Sequence, residues 1–162
     1  MLNIFGITLY MIGSLTVEQI EEVLRDNLLG RIGCNDGKRN YVVPINYVYD
    51  GRFIIAHSVM GMKIEMMRKN PHVCFEVDVV KSFTNWKSVI AWGEYQELTD
   101  HRARFQAMKL FMDRLMHIKI INTPITTEIE EGIFDDLLSP SHVKSIIYRI
   151  VITEKTGRFE NE

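Results

Sequence analysis

Residues 41–78 read YVVPINYVYDGRFIIAHSVMGMKIEMMRKNPHVCFEVD, and the order of breakers within this stretch decides the fold. Tyr41–Tyr49 is rich in β-branched and aromatic residues, the composition of a strand. Pro44 lies inside it; a proline cannot donate to a ladder, so it predicts an edge, a bulge or a bend. Asp50-Gly51 is a hairpin signal, and Arg52–His57 reads as the returning strand. Met62–Lys69 is expected to be helical until Pro71 stops it, and His72–Val79 forms the next strand. Strands joined by tight turns, with a helix only here and there, disfavour a doubly wound parallel sheet.

The flanking sequence extends the pattern. Thr16 followed by Gln19 is a capping box, and Val17, Ile20, Val23, Leu24 and Leu28 recur at helical spacing. A helix is predicted over 17–28, with Gly30 as the left-handed residue past its end. Arg31–Asn35 is short and extended, and Asp36-Gly37 is a tight turn. Lys81–Asn85 reads as a polar loop and Trp86–Leu98 as a long strand with Gly93 at a bend or bulge. Asp100–His117 is predicted as an amphipathic helix, its stripe made of Ala103, Ala107, Met108, Phe111 and Leu115. Ile125–Leu138 is acidic and reads as helical until Pro140. Lys144–Glu154 alternates as a last strand, and the tail from Lys155 is expected to fray. The sum is about six strands in a mainly β fold, a small antiparallel barrel flanked by helices, in which closure removes exposed edges.

Composition agrees with one globular domain: 162 residues, 46% apolar and 25% charged. The expected division is an N-terminal extension over 1–13, the domain over 14–157 and a tail over 158–162. A net charge of −2 lacks the basic excess of a dedicated nucleic-acid binder. Cys34 and Cys74 stand alone, with no CxxC spacing, and read as thiols in a reducing compartment. Met1–Ile12 is uncharged and mostly apolar, but it lacks the positive start and cleavage site of a signal peptide and is too short for a membrane span. It is expected as an edge strand or frayed tail, or as sequence upstream of a start at Met11. The expected compartment is the cytoplasm, with no membrane partner.

One segment carries the clearest chemistry. In His57-Ser58-Val59-Met60-Gly61-Met62-Lys63 an apolar strand ends in two polar residues, then a glycine precedes the first turn of a helix that holds a lysine. Unpaired N–H groups at a helix start attract anions, so this is a candidate phosphate site. The plainer reading is a turn in which Ser58 caps the helix and Lys63 is solvated. His57 is the candidate catalytic residue at its mouth; the plainer reading is a half-buried imidazole that satisfies a carbonyl. Val42–Asn46 can offer a proline-kinked edge whose free backbone groups pair with a ligand ring, and Asn46 adds a donor and an acceptor unless it simply faces water. Trp86, Ser88 and Val89 could cover a planar heterocycle, or be ordinary packing. Met60, Met62, Met66 and Met67 read as adaptable packing. No metal is implied, because His72, His101, His117 and His142 lack companions at ligand spacing. No Ser-His-Asp order and no GxGxxG occurs, which leaves hydrolysis and Rossmann binding without support.

The order GRIG, YVVPINYVYDGR, AHSVMGMK, RKNPHVCFEVD, WKSVIAWGEYQEL over residues 16–100 resembles the pyridoxamine phosphate oxidase-like flavin-binding proteins, nearest their nitroimidazole-resistance (Nim) branch. The ending IIYRIVITEKTG, Ile146–Gly157, fits as well. The resemblance implies an FMN-binding split β-barrel, a six-stranded antiparallel Greek-key barrel flanked by helices, working as a homodimer with flavin at the subunit interface. It places Val43, Pro44, Ile45 and Asn46 beside the isoalloxazine ring. His57, Ser58, Gly61, Met62 and Lys63 fall at the phosphate, and Ser88 and Val89 are added from the following strand, beside the Trp86 already noted. Lys63 matches the family's phosphate lysine, whereas Met62 stands where the oxidases have an arginine; His57 and Ser58 match the Nim pattern in its place. The oxidases' C-terminal substrate arginine and histidine have no match, which argues against pyridoxamine phosphate. The implied activity passes electrons from NADH or NADPH through FMN to a small acceptor such as a nitroimidazole or other nitroaromatic. The alternative is a non-catalytic flavin- or haem-binding module, a sensor or cofactor store, with His57, His72 or His117 as haem ligands.

Overall fold

The structure, a computed structural model, describes residues 11–122 and 145–161. Its elements run β1 (Met11–Ser14), α1 (Val17–Asp26), β2 (Leu29–Asn35), β3 (Asn40–Tyr49), β4 (Phe53–Ser58), α2 (Met62–Lys69), β5 (His72–Ser82), β6 (Asn85–Glu97), α3 (His101–Asn122) and β7 (Ile146–Asn161). Local chemistry explains many of the boundaries. Thr16 and Gln19 form the reciprocal cap of α1, with the Thr16 N–H donating to Gln19 Oε1 at 2.9 Å and the Gln19 N–H to Thr16 Oγ1 at 3.3 Å. Gly37 and Gly51 turn the β2–β3 and β3–β4 hairpins with φ of 87° and 93°, a region closed to most side chains. The Ala103 N–H donates to Asp100 Oδ1 at 2.9 Å at the start of α3.

All pairings are antiparallel, in the order β1-β7-β4-β3-β2-β5-β6, and β6 pairs back onto β7. Six strands therefore close a ring and β1 adds to it. Because β6 occupies one edge of β7 along Tyr148–Glu160, the other edge is shared: β4 holds Ile146–Val151 and β1 holds Arg158–Asn161. The β6–β7 register shifts between Trp92 and Gly93, the bend expected at that glycine.

Ile32, Tyr47, Ile54, Phe75, Val77, Val89 and Tyr148 point into the ring and are fully buried. Helix α1 adds Ile20, Val23 and Leu24 to the same core, and α2 adds Ile64, Met66 and Met67. Each such side chain contributes about 1.5–3 kcal/mol when fully buried. Polar contacts also hold α1: the Tyr47 hydroxyl donates to Leu24 O at 2.9 Å, and Lys155 Nζ pairs with Glu21 while donating to the Tyr49 hydroxyl at 3.1 Å. A second cluster forms outside the barrel, where Ala107 and Phe111 of α3 cover Val48, Ile55 and Ile147.

Two expectations need correction. Helix α1 ends at Asp26, and Gly30 is not a left-handed cap; it lies in β2, opposite Ile45. The tail expected to fray from Lys155 is instead strand through Asn161, held by β6 and β1. The ring has six strands as expected, and β1, Met11–Ser14, adds an edge strand, one of the two readings given for the N-terminal stretch. The helix expected over 125–138 lies outside the described residues. Among the described residues no helix is long and apolar enough to cross a membrane.

Candidate functional site

Strands β3 and β4 leave their turn as partners but pair only over Tyr47–Tyr49 and Ile54–Ala56. The same register, continued, would set Asn46 opposite His57 and Ile45 opposite Ser58. Pairing stops there instead, and His57 and Ser58 pair with Ile147 and Ile146 on β7. From Asn40 to Asn46, β3 has β2 as its sole strand neighbour among the described residues. Pro44 lies in this one-sided stretch, where a missing N–H is tolerated. The result is a split in the barrel wall between the β3 edge and the end of β4, with the start of α2 four residues beyond Ser58.

The start of α2 is left open. Gly61 occupies the N-cap with no side-chain cap bond, and a Cβ added there would meet nothing within 4 Å. The Ser58 hydroxyl donates to Val59 O at 3.1 Å, so it does not cap the helix. Helix-start N–H groups without a capping oxygen remain available to an anion. Lys63, in the first turn, is half-buried. Burial pushes its pKa down, opposed by the nearby Cys34 thiol, and no carboxylate pairs with it among the described residues. A half-buried ammonium without a counterion is costly unless an anion comes to it. His57 is half-buried too, edge-on to Phe111 of α3 with centroids 5.0 Å apart. Burial, then the Lys63 cation, pushes the imidazole pKa below 6.5, so His57 is neutral at pH 7 and offers one donor and one acceptor. Met62 is exposed on α2.

The remaining candidates sit differently. The side chains of Ile45 and Val89 are buried in the barrel core, and Val43 packs against it, so these residues can meet a ligand through backbone atoms alone. Pro44 and Asn46 are exposed on the outer face. Trp86 pairs with Glu160 on β7, whereas His57 pairs with Ile147 near the other end of that strand. The Trp86 indole N–H donates to Glu160 Oε2 at 2.9 Å, and the Ser88 hydroxyl to Glu76 Oε1 at 3.0 Å. Glu76 in turn accepts from Arg31 at 3.2 Å, and Asp78 does so at 2.8 Å. The chain therefore brings His57, Ser58, Gly61 and Lys63 together at the end of β4 and the start of α2, with the free β3 edge that carries Asn46 across the split, and holds Trp86 and Ser88 apart from them. Beside the Arg31 cluster a shallow trough crosses β2, β3, β5 and β6, lined by Val42, Cys74, His72 and Trp92 among others. Among the described residues no group of three or more His, Cys, Asp or Glu side chains could hold a metal ion.

Sequence reasoning missed the contacts that hold the loop before α2. Arg68 bonds Glu97 through two parallel N–H donors, Nε and one terminal nitrogen, each at 2.9 Å. Its other terminal nitrogen lies 3.9 Å from Met60 Sδ. Arg68 and Glu97 are 29 residues apart in sequence, and no local pattern joins them.

A family model described as pyridoxamine 5'-phosphate oxidase matches residues 16–159. An uncharacterized protein of Rhizobium meliloti, RA0666, is 35% identical over 97 residues, 57% of this chain; the chain spans 64% of that protein's length. Among solved structures, an FAD-binding protein from Mesorhizobium loti is 28% identical with a TM-score of 0.72, covering 94% of this chain and 99% of its own. A candidate 5-nitroimidazole antibiotic resistance protein from Bacteroides thetaiotaomicron shares the fold at 18% identity and a TM-score of 0.69, covering 94% and 90%. The FAD-binding protein from Mycobacterium smegmatis does so at 20% and 0.62, covering 91% and 97%.

Proposed function

The chain belongs to the pyridoxamine 5'-phosphate oxidase family, and from that premise we propose that it is an FMN-dependent reductase, a cytoplasmic homodimer that passes electrons from NADH or NADPH to a small acceptor such as a nitroimidazole. The observation that carries this reading is Lys63, a half-buried cation without a carboxylate partner among the described residues, in the first turn of an uncapped helix. That arrangement fits a phosphate monoester: the ammonium supplies charge and the α2 N–H groups supply directed donors. The open space at Gly61 lets the phosphate approach the backbone.

Bound flavin would supply the electron chemistry, which the side chains present here cannot. The chain's part is position and solvent exclusion. Lys63 and the α2 start would hold the phosphate, and the free edge of β3 over Val43–Asn46 would offer backbone donors and acceptors to the ring. Neutral His57, held edge-on to Phe111, can donate one N–H to a ligand without bringing a second positive charge beside Lys63. No side chain acts as a nucleophile.

Two features support a homodimer. Trp86 and Ser88 stand apart from Lys63 within one chain, and a second copy would bring such residues to the flavin. The outer face of β2, β3, β5 and β6 exposes Leu29, Val42, Val80 and Trp92, large apolar groups suited to an interface. The cytoplasmic assignment rests on the two free thiols, Cys34 and Cys74.

A second reading, FAD in place of FMN, is favoured by the Mesorhizobium loti relative, whose description is FAD-binding. One experiment separates the two and tests both. The purified protein is expected to be yellow, and mass spectrometry of the released ligand identifies mononucleotide or dinucleotide. Anaerobic NADH or NADPH should then bleach the flavin band, and a nitroaromatic should restore it. A colourless protein that takes up neither added flavin would overturn the assignment.

A further inference from the structure

Helix α2 has eight residues, too short to hold its own geometry, so the position of Lys63 depends on what fixes the helix and the loop before it. Ile64, Met66 and Met67 anchor its inner side in the barrel core. On the outer side Arg68 ties the helix to the rest of the chain. Its guanidinium forks onto both carboxylate oxygens of Glu97 at 2.9 Å, and Glu97 stands at the end of β6. Glu97 is itself oriented by the Tyr95 hydroxyl, which donates to it at 3.0 Å. The remaining guanidinium nitrogen reaches Met60 Sδ at 3.9 Å, inside the loop between Ser58 and Gly61. One planar group thus ties together β6, the last turn of α2 and the loop that precedes its first turn.

Arg68 is 44% exposed and Glu97 25%, so solvent screening limits what the pair adds to folding. What a planar, two-point contact adds is a fixed orientation. We propose that Arg68 and Glu97 are a positioning pair, which sets the Met60–Gly61 loop and the start of α2 so that Lys63 and the helix N–H groups converge on one phosphate. Neither residue touches the phosphate. The inference rests on the phosphate reading of the Lys63 site and adds the residues that tune its affinity.

The test uses the full chain stripped of ligand and titrated by fluorescence with FMN and, separately, with riboflavin, which lacks the phosphate. Wild type is expected to prefer FMN clearly. Glu97→Gln and Arg68→Gln are each expected to lose at least tenfold in FMN affinity. Riboflavin affinity should stay within about twofold, and the ligand-free melting temperature within a few degrees. Arg68→Lys, which keeps the charge but not the fork, should fall between. Equal losses for both flavins would make the pair a general structural clamp, and unchanged affinities would make it irrelevant; either result overturns the proposal. If wild type itself binds both flavins equally, the phosphate reading fails first, and this inference falls with it.

Discussion

Gly30 in β2 lies against the ring of Phe75 in β5: a Cβ built on Gly30 would stand 2.6 Å from Phe75 Cε2 and 2.8 Å from the Glu76 carbonyl oxygen. Phe75 is fully buried, in edge contact with Tyr47 at 4.7 Å, so the ring has nowhere to move. Gly30→Ala should therefore overpack the core and destabilise by about 1–3 kcal/mol or more. Urea denaturation checks this; a midpoint equal to wild type would show that the ring can shift.

Lys63→Met should separate stability from binding. Removing a half-buried charge relieves desolvation, so the ligand-free protein should be at least as stable as wild type. FMN affinity should fall by about 1–3 kcal/mol, the usual loss for a charged hydrogen bond left unmade. The rise in melting temperature on adding FMN should shrink with it. An undiminished rise would remove Lys63 from the phosphate site.

Gly61→Ala makes the opposite use of space. The added methyl meets nothing within 4 Å in the free protein, and φ of 175° is ordinary extended backbone. Stability should hold or rise by about 0.4–1 kcal/mol through the unfolded chain. FMN affinity should fall, because the methyl occupies the approach to the α2 N–H groups. Isothermal titration against the wild type reads the difference; equal affinity would show the ligand passing elsewhere.

Much of the fold was legible where its cause is local. The turns at Gly37 and Gly51, the Thr16–Gln19 box and the limits of α2 all follow from residues within a few positions of one another. Gly30 looks like a helix stop from its neighbours alone, since its reason, the Phe75 ring, belongs to another strand. The last strand runs past its own alternating pattern because its final residues are held by β6 and β1. The phosphate segment was legible as a segment. That β3 and β4 part after Tyr47 and Ala56, and that Arg68 reaches Glu97, depend on register that no single stretch of sequence encodes.

Acidification should weaken the ligand-free protein through His57. Burial and the Lys63 cation lower its folded pKa below 6.5, so the unfolded chain binds more protons in the window under that value. Stability then rises with pH through the window and falls as the solution is made more acidic. His57→Asn should flatten this slope in melting temperature between about pH 5 and 7. Bound FMN should flatten it as well, since a phosphate beside the imidazole favours the protonated ring. FMN affinity should accordingly rise as pH falls, and an affinity independent of pH in wild type would place His57 away from the phosphate.

Trp92 tests the assembly. It stands on the outer face of β6, paired with Cys74 of β5, and is 39% exposed despite its size. A charge at such a position costs the fold little, because the side chain already meets solvent, but it is costly at the centre of an apolar interface. Wild type is expected to sediment as a dimer, and Trp92→Arg should shift it towards monomer at micromolar concentration. If the flavin site needs both copies, flavin content should fall in parallel and recover as the protein is concentrated. A wild-type monomer carrying a full complement of flavin would instead mean that one barrel suffices, with Trp86 and Ser88 serving only the outer face they occupy.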